Sequence, residues 1–312
     1  MRNFSGPAKC ELAPKNEADW IRTGMKWGTT MQLVTWNIQW ARGVDGRVDP
    51  ARIVAEAREL GDFDVLCMQE VASNFPGLGG SDGEDQFERF ARLLPDFTGV
   101  PVISVDVPGA NGGRALFGNL ILSRYPVLQV LRHQLPWTVD PEVVSMPRAL
   151  LEATLATPSG ALRVMTTHLE YHSGRQRQAQ IEAIRAIHAQ ACAQAQRPRV
   201  SGRNGSTYQR FAQTTRTILT GDFNFRPDDP LHARLQEAID GNSPRLVDTW
   251  KYLHPAAPHP HNVGLYDREQ WAEPFTCDFI FASEDLLPKV RAVRVGSDSR
   301  ASDHQPQLLE LA

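Results

Sequence analysis

The stretch LTGDFNFRP, residues 219–227, sets two polar side chains at the end of an apolar run. The residues that lead into it, TILT, have the β-branched and apolar composition of a buried strand. Residues two apart in a strand point to the same face, so Asp222 and Asn224 are expected to project together where the strand ends. This geometry is typical of a functional site and not of a hydrophobic core.

The chain is long enough to bury a complete core, with 312 residues of which 41% are hydrophobic. Its formal net charge of -3 argues against a surface coated with basic residues for non-specific nucleic-acid binding. No run approaches the about 18 apolar residues of a membrane helix, and the N-terminus lacks the apolar core of a secretory signal. We therefore expect a cytoplasmic protein without a membrane span. A monomer is favoured, although the sequence leaves the oligomeric state open.

The first 30 residues differ from the rest of the chain, because they are polar and show no hydrophobic periodicity. A clear strand pattern then begins at Met31. We interpret residues 1–30 as an N-terminal extension and residues 31–312 as a single domain. The four cysteines are too irregularly spaced for a metal motif or a disulfide framework, and are expected to be free thiols.

Strand and helix patterns alternate through this domain. MQLVTWNI (31–38), DPARIVAEAREL (49–60) and DFDVLCMQEV (62–71) predict a strand, a helix begun by Asp-Pro, and a second strand. RALLEATLAT (148–157) and ALRVMTTHLE (161–170) predict a hairpin. Strands outnumber helices, and several are too continuously apolar to have one face in water. The predicted fold is of the α/β (α+β) class, with two packed mixed β-sheets and helices outside them.

Polar side chains recur at the ends of these apolar strands. Each has an ordinary explanation as a turn or helix cap, but charges beside apolar strands destabilise a fold unless they pair or hold a metal. Carboxylates and amides without thiolates suit Mg²⁺ or Mn²⁺, whose usual substrates are phosphate esters. The residues concerned are Asn37, Glu70, His168, Asp222, Asn224, Asp278, Asp303 and His304.

Seven segments carry a resemblance to a known family: TWNIQ, MQEV, GNLILSRYP, THLE, GDFN, CDFIFAS and SDHQP. In this order and rough spacing, the chain from Gln32 to its C-terminus resembles the endonuclease/exonuclease/phosphatase superfamily, which includes enzymes like deoxyribonuclease I and exonuclease III. The resemblance implies a four-layer sandwich with an active site at one edge of the two sheets. It also implies Mg²⁺-dependent phosphoester hydrolysis.

The resemblance assigns the metal site to Glu70, as the principal metal-binding carboxylate, and to Asn37, which would support the metal and the phosphate. Asp303 is predicted as a further metal ligand. Some relatives have Asp two residues after the asparagine, where this chain has Gln39, so a second carboxylate from this stretch is not expected. The difference points away from the abasic-site nucleases.

The resemblance also assigns the catalytic groups. Asp222 would orient or deprotonate the attacking water, and Asn224 would position the water and the phosphate. His304 would bind a phosphoryl oxygen or act as the base, with Asp278 orienting its ring. His168 would contact the phosphate or assist the leaving oxygen. Between the two candidate bases we favour Asp222.

Three residues outside this constellation are predicted to bind substrate. Arg148 opens a strand, and a solvated strand-edge arginine is an equally good interpretation. Trp271 and Tyr266 lie in a long loop, 254–275, where they could stack on a base or sugar. Three histidines in that loop could bind zinc, but their alternation with proline gives no regular ligand face. The arginine-rich segment 197–216 could lean over the cleft, although a solvated loop is favoured.

The expected function is divalent-metal-dependent phosphodiester hydrolysis. A nuclease, with nucleic acid as the substrate, is the favoured interpretation. A phosphatase or phosphodiesterase acting on a lipid headgroup or a small phosphorylated metabolite is the alternative. A catalytically inactive binding module is a third interpretation. It would predict losses among the metal-site and catalytic residues, and all of them are present.

Overall fold

Two β-sheets form the centre of the fold. The computed structural model describes residues 30–110, 112–197 and 200–312, and the two sheets in these ranges have six strands each. The predicted N-terminal extension lies outside the described residues, apart from Thr30.

Each sheet contains one parallel pair of strands among antiparallel ones. From edge to edge, the first sheet consists of β11 (Val290–Val295), β12 (Gln307–Leu311), β1 (Met31–Asn37), β2 (Val65–Ser73), β4 (Arg114–Ser123) and β3 (Thr98–Pro108). The second consists of β5 (Val127–Gln134), β6 (Ala149–Thr157), β7 (Gly160–His168), β8 (Thr217–Asp222), β10 (Asp278–Ser283) and β9 (Leu246–Asp248). The parallel pairs are β1 with β2 and β7 with β8, so both sheets are mixed, as predicted.

Helices cover the outer face of each sheet. Helices α1 (Pro50–Leu60) and α2 (Gln86–Leu93) pack on the first sheet, and α3 (Gly174–Gln196) and α4 (Pro230–Gln236) pack on the second. A short helix, α5 (Thr249–Leu253), lies beside β9, β10 and β11. The predicted four-layer sandwich is confirmed. Among the described residues, no helix combines the length and apolarity needed to cross a bilayer.

The apolar residues divide into three buried clusters that match the layers. The middle cluster fills the space between the sheets, for example with Leu33, Val65, Leu151, Val164 and Ile280. The second lies under α1 and α2, and the third lies under α3 and α4. Burial of these faces is what orients the strands, since each apolar residue moved to water would cost about 1.5–3 kcal/mol.

Strand direction brings the ends of the central strands to one edge of the sandwich. In the second sheet, Asp222 is paired with His168 of β7 and with Asp278 of β10. In the first sheet, Asn37 ends β1 beside Gln69 of β2. The predicted site residues therefore meet at the edge where β1, β7 and β8 end and β10 begins.

The arginine-rich segment lies at the opposite end of the second sheet. It enters β8 at Thr217, five strand positions before Asp222, which is about 16 Å at ~3.3 Å per residue. Arg216 donates to the carbonyl oxygen of Ser159 in the turn between β6 and β7, at 2.6 Å. The idea that this segment leans over the cleft is wrong for its described residues.

A buried polar network joins α3 to the second sheet. Arg163 of β7 donates to Nδ1 of His188 at 2.6 Å, and Nε2 of His188 lies 2.8 Å from the carbonyl oxygen of Pro244. These contacts assign the ring proton to Nε2. Burial, with the Arg163 charge, lowers the pKa of His188 to about 4. The ring is therefore neutral at pH 7.

We expect His188 to make the protein about 2 kcal/mol less stable at pH 5 than at pH 7. Its pKa is lower in the folded protein than in the unfolded chain, so the unfolded state takes up more protons as the pH falls below about 6.5. The contribution of His188 to the free energy of unfolding is complete above about pH 6.5 and is lost as the pH falls towards 4. Urea unfolding of wild type and His188→Gln at both pH values measures it. An equal pH-dependent loss in the two proteins would contradict the assignment.

Candidate active site

Asn37 links carboxylates that come from the two different sheets. Its Nδ2 donates to Oε1 of Glu70 at 3.0 Å and to Oδ2 of Asp222, 185 residues away, also at 3.0 Å. The backbone N–H of Gln39 donates to Oδ1 of Asn37 at 3.1 Å, which fixes the orientation of the amide. This side chain therefore sets the spacing between the first-sheet and second-sheet halves of the site.

Glu70 reaches the site through an unusual backbone conformation. It lies at an irregularity in the pairing of β2 with β4, with φ of 62°, a left-handed conformation that costs a non-glycine residue roughly 1–2 kcal/mol. Its side chain stays 17% exposed, so it opens onto the cleft. Burial, followed by the charge of Asp303, raises the pKa of Glu70 to about 7.

His304 and Asp278 form a buried pair at the same edge. Nδ1 of His304 lies 2.8 Å from Oδ2 of Asp278, and Nε2 lies 3.8 Å from Oδ2 of Asp222. Burial by itself would lower the pKa of His304, but the carboxylates of Asp278 and Asp303 outweigh it and raise that pKa well above its usual value. The ring is therefore held as an imidazolium that faces Asp222. Asp303 and His304 lie in the loop before β12. Adjacent residues in a regular strand would point to opposite faces, and the loop lets both face the site.

His168 closes the site from the end of β7. Its Nε2 lies 3.5 Å from Oδ2 of Asp222, and its Nδ1 lies 3.8 Å from Oε1 of Glu70. Nδ1 is buried and makes no hydrogen bond with any residue that the structure describes. Burial, with the Arg148 charge, lowers the pKa of His168 to about 3. The result is a neutral imidazole with one nitrogen left for a ligand.

Asp222 and Asn224 meet in a way that differs from the sequence prediction. Strand β8 ends at Asp222, and Asn224 turns into a left-handed conformation with φ of 51°, so the two do not simply share a strand face. The backbone N–H of Asn224 donates to Oδ1 of Asp222 at 2.9 Å, and its Nδ2 donates to the carbonyl oxygen of Leu169 at 2.9 Å. Burial would raise the pKa of Asp222, but His168 and His304 outweigh burial and lower it.

Asp303 is oriented by Trp271 of the 254–275 loop. The indole Nε1 of Trp271 donates to Oδ2 of Asp303 at 3.0 Å, and the Ser302 hydroxyl lies 3.2 Å from Oδ1. The neighbouring Gln270 accepts a hydrogen bond from Gln39 at 3.0 Å. The loop is thus attached to the site at two points, and Trp271 acts as a positioning residue.

The donor set fits a hard divalent cation. Glu70 and Asp303 supply two carboxylates at this edge, and the side chain of Glu70 is 17% exposed. Burial, and then the negative charge of Asp303, raise the pKa of Glu70. The Cys277 thiol donates to Oδ1 of Asp222 at 3.3 Å, and burial raises its pKa well above the usual value, so it offers no thiolate. Oxygen ligands without thiolates are what Mg²⁺ and Mn²⁺ prefer.

A second group of closely spaced polar side chains needs no metal. His232 and His259 both contact Oδ2 of Asp248, with Nε2 atoms at 2.8 Å and 2.7 Å. Gln236 accepts from the Asp248 N–H and donates to Nδ1 of His232 at 3.3 Å, which leaves the His232 proton on Nε2. A protonated nitrogen cannot bind zinc. The group instead ties the 254–275 loop to β9.

The sequence matches one known protein family. The model of the endonuclease/exonuclease/phosphatase family matches residues 34–304. The chain belongs to this family. Its members are phosphoesterases, and many use divalent metals. No curated protein matches the chain.

Solved structures of the family share the fold at low sequence identity. An endonuclease/exonuclease/phosphatase from Beutenbergia cavernae DSM 12333 is 24% identical, with a TM-score of 0.63 over 90% of this chain and 71% of that one. D. rerio TDP2 complexed with single strand DNA product is 17% identical, with a TM-score of 0.59 over 91% and 100%. The mannosyl-6-phosphatase Bt3783 of Bacteroides thetaiotaomicron VPI-5482 is 15% identical, with a TM-score of 0.60 over 90% and 99%. At these identities the likeness shows the fold alone.

Two of the predicted substrate residues make contacts with other parts of this family member. Arg148 is 5% exposed and its Nε lies 3.2 Å from Oε2 of Glu170, so the solvated strand-edge interpretation is wrong. The hydroxyl of Tyr266 donates to the carbonyl oxygen of Ser297 at 2.9 Å, and its ring lies 4.7 Å from the Arg300 guanidinium. Substrate contact by either residue stays a prediction.

Sequence reasoning missed Tyr171 at the rim of the site. This side chain is 45% exposed, and its ring centroid lies 6.1 Å from that of Trp271. An aromatic residue directly after the family segment THLE was the available signal. Sequence reasoning also gave no indication that Trp271 bonds Asp303, because that contact spans 32 residues.

We expect Trp271→Phe to weaken divalent-metal affinity by about 10- to 100-fold, the range seen when a residue that orients a ligand is removed. The phenyl ring keeps the packing on Tyr171 but loses the hydrogen bond to Asp303. Titration with Mn²⁺ measures the affinity. Trp250→Phe is the matched control, because its indole donates to the carbonyl oxygen of Pro258 in the same loop at 2.9 Å. Equal effects of the two variants would show that loop anchoring, and not Asp303, is responsible.

Proposed function

We propose that the protein is a Mg²⁺- or Mn²⁺-dependent phosphodiester hydrolase in which an activated water attacks phosphorus in line. The observation that carries the proposal is the environment of Asp222. One buried carboxylate, 2% exposed, is approached by an amide from the other sheet and by two histidines with oppositely shifted pKa values. A structural carboxylate would need only one such partner.

The carboxylates of the site have different proposed roles that depend on their positions. Glu70 and Asp303 would hold the ion, with Asn37 between Glu70 and Asp222. The bound ion would neutralise charge on the phosphoryl oxygens. Asp222 has a lowered pKa and is ionised at neutral pH, so it can orient the water and accept its proton. Asn224 holds Asp222 through its N–H and offers a second polar side chain for the water and the phosphate.

The two histidines take different roles because their pKa values differ. His304 is held as an imidazolium by Asp278, so it can donate a hydrogen bond to a phosphoryl oxygen but cannot take the proton of the water. This favours Asp222 as the base. His168 is neutral, and its unpartnered Nδ1 can contact the phosphate or the leaving oxygen.

Two substrate classes fit this site. A nucleic acid, as the sequence suggested first, is supported by the Tyr171 and Trp271 rings, since bases stack on aromatic side chains. A lipid headgroup or small phosphoester is supported by the exposed apolar residues beside Tyr171. Two of the similar structures also span both classes, since TDP2 is complexed with a single strand DNA product and Bt3783 is a mannosyl-6-phosphatase.

We further propose that the catalytic domain is residues 31–312 and that the protein acts in the cytoplasm. Strand β1 begins at Met31 and the family match begins at residue 34, which supports the first part. A monomer stays our prediction.

The test is hydrolysis of a panel of esters with Mg²⁺, with Mn²⁺ and with EDTA. The panel contains single- and double-stranded DNA, RNA, phospholipid vesicles, sugar phosphates and bis-p-nitrophenyl phosphate. We expect turnover with either metal and none with EDTA. Turnover that survives EDTA would refute the metal requirement, and tight metal-independent binding without hydrolysis would favour the binding module.

A further inference from the structure

An exposed apolar surface adjoins the site. It consists of the loop 135–147, between β5 and β6, together with Tyr171, and we refer to it as the apolar rim. Trp137 is 56% exposed, Val139 80%, Val144 74% and Tyr171 45%. Large apolar side chains that stand out singly are common on protein surfaces, but a group of them marks an interaction site.

Buried polar residues hold this loop in place. Nε2 of Gln176 donates to the carbonyl oxygen of Thr138 at 2.8 Å, and Nε2 of Gln180 donates to that of Pro136 at 3.2 Å. Both glutamines are buried, at 1% and 0% exposure. The loop conformation is therefore specified by the start of α3, and its apolar side chains face outward as part of the fold.

The apolar rim lies at the catalytic edge. Antiparallel pairing of β5 with β6 and of β6 with β7 puts the loop at the end of the sheet where His168 ends β7. The backbone N–H of Leu135 donates to the carbonyl oxygen of Arg148 at 2.9 Å, which closes the base of the loop. Tyr171 connects the rim to Trp271. Whatever covers the rim also lies over the mouth of the site.

The side-chain chemistry favours a phospholipid surface over a polynucleotide. Aliphatic Val139 and Val144 offer no stacking plane for bases, and the loop itself carries the acids Asp140 and Glu142, which repel a phosphate chain. Valines match the acyl region of a bilayer, and Trp and Tyr rings prefer its headgroup level.

A cationic side chain close to the rim can meet headgroup phosphates. Arg175 is in the first turn of α3 and is exposed. This arginine does not form a basic track with residues of the loop 135–147, which suits a zwitterionic surface better than a polyanion.

We propose that the apolar rim docks the protein on a phospholipid bilayer, where the site meets phosphodiesters of lipid headgroups. The inference rests on the proposed phosphodiester hydrolysis. In the docked protein the apolar rim contacts the membrane, and the proposed metal site faces the headgroup layer.

The test is flotation of the full chain with phosphatidylcholine vesicles. Wild type should bind, and the double variant Val139→Asp/Val144→Asp should bind about tenfold less, because two charges replace side chains that enter the bilayer. Val200→Asp is the matched control, since Val200 is 103% exposed and precedes β8 at the opposite end of the sheet. Thermal unfolding checks that the folds are equal. Turnover of soluble bis-p-nitrophenyl phosphate should stay within about twofold in all three proteins.

Three results would overturn the proposal. The first is failure of the wild type to float with vesicles. The second is loss of single-stranded DNA binding in the double variant, and the third is conversion of a dimer to a monomer by the double variant in light scattering. The last two outcomes would assign the rim to a polynucleotide or to a second copy of the chain. Failure of the proposed chemistry is separate, because it would appear as no turnover of the soluble ester by wild type.

Discussion

Asp222→Asn should lower kcat by about three orders of magnitude or more, while the fold stays intact. The substitution removes the negative charge that orients the water and accepts its proton. It also places an amide where Nδ2 of Asn37 and the N–H of Asn224 now donate, at 3.0 Å and 2.9 Å. One of those donors must then lose its acceptor. Steady-state turnover of bis-p-nitrophenyl phosphate with saturating Mn²⁺ measures the effect.

Asp229→Asn is the control for this variant. Asp229 lies seven residues further along the same segment, and its carboxylate accepts from the Leu231 N–H as the N-cap of α4. Asparagine caps helices equally well, so this variant should keep its activity. If Asp222→Asn retained full turnover, Asp222 would not be the base and the proposed mechanism would be wrong.

Glu70→Gln should weaken Mg²⁺ and Mn²⁺ binding by about 100-fold and reduce activity at limiting metal to a similar degree. A neutral amide replaces the carboxylate that opens onto the cleft. The pKa of Glu70 is about 7 in the metal-free protein, so the ion must displace a proton there at or below neutral pH. Affinity should therefore rise as the pH is raised through 7, and this rise should be smaller in the variant.

Calorimetric titration in two buffers with different ionisation enthalpies measures both quantities, the affinity and the protons released per ion. Glu88→Gln serves as the control, because Glu88 lies on the surface of α2 with its side chain 65% exposed. Unchanged affinity and unchanged proton release in Glu70→Gln would place the ion elsewhere. The carboxylate of Asp222 would then be the next ligand to test.

Much of this protein is determined locally and could be predicted from its sequence. Asp49, followed by proline, begins α1 as predicted, because the carboxylate caps the first N–H groups and proline suits the first turn. Asp229, also followed by proline, begins α4 in the same way. The β6–β7 hairpin follows from its turn residues. The polar side chains at strand ends predicted the edge where the candidate site lies, because each apolar run stops where such a residue begins.

Other features depend on contacts between distant segments and came only from the tertiary structure. Glu70 takes a left-handed conformation, and Arg148 is buried against Glu170. The indole of Trp271 binds Asp303, a contact that the sequence did not indicate. No local sequence pattern predicts these three features, because each depends on a residue that is distant in the sequence and is brought close by packing.

The candidate site shows most clearly which features the sequence determines and which features depend on the tertiary structure. Residue types and their spacing along the chain determine that carboxylates, amides and histidines stand at strand ends. Only the packing of the sheets brings Asn37 of one sheet within 3.0 Å of Asp222 of the other. Burial by itself would lower the pKa of both His168 and His304, and the two pKa values separate because the carboxylates of Asp278 and Asp303 lie beside His304 whereas the Arg148 charge acts on His168. The sequence thus determined the chemical groups, whereas the packing of the two sheets decided their distances and charges, because electrostatic and hydrogen-bond energies depend on separation and solvent exposure.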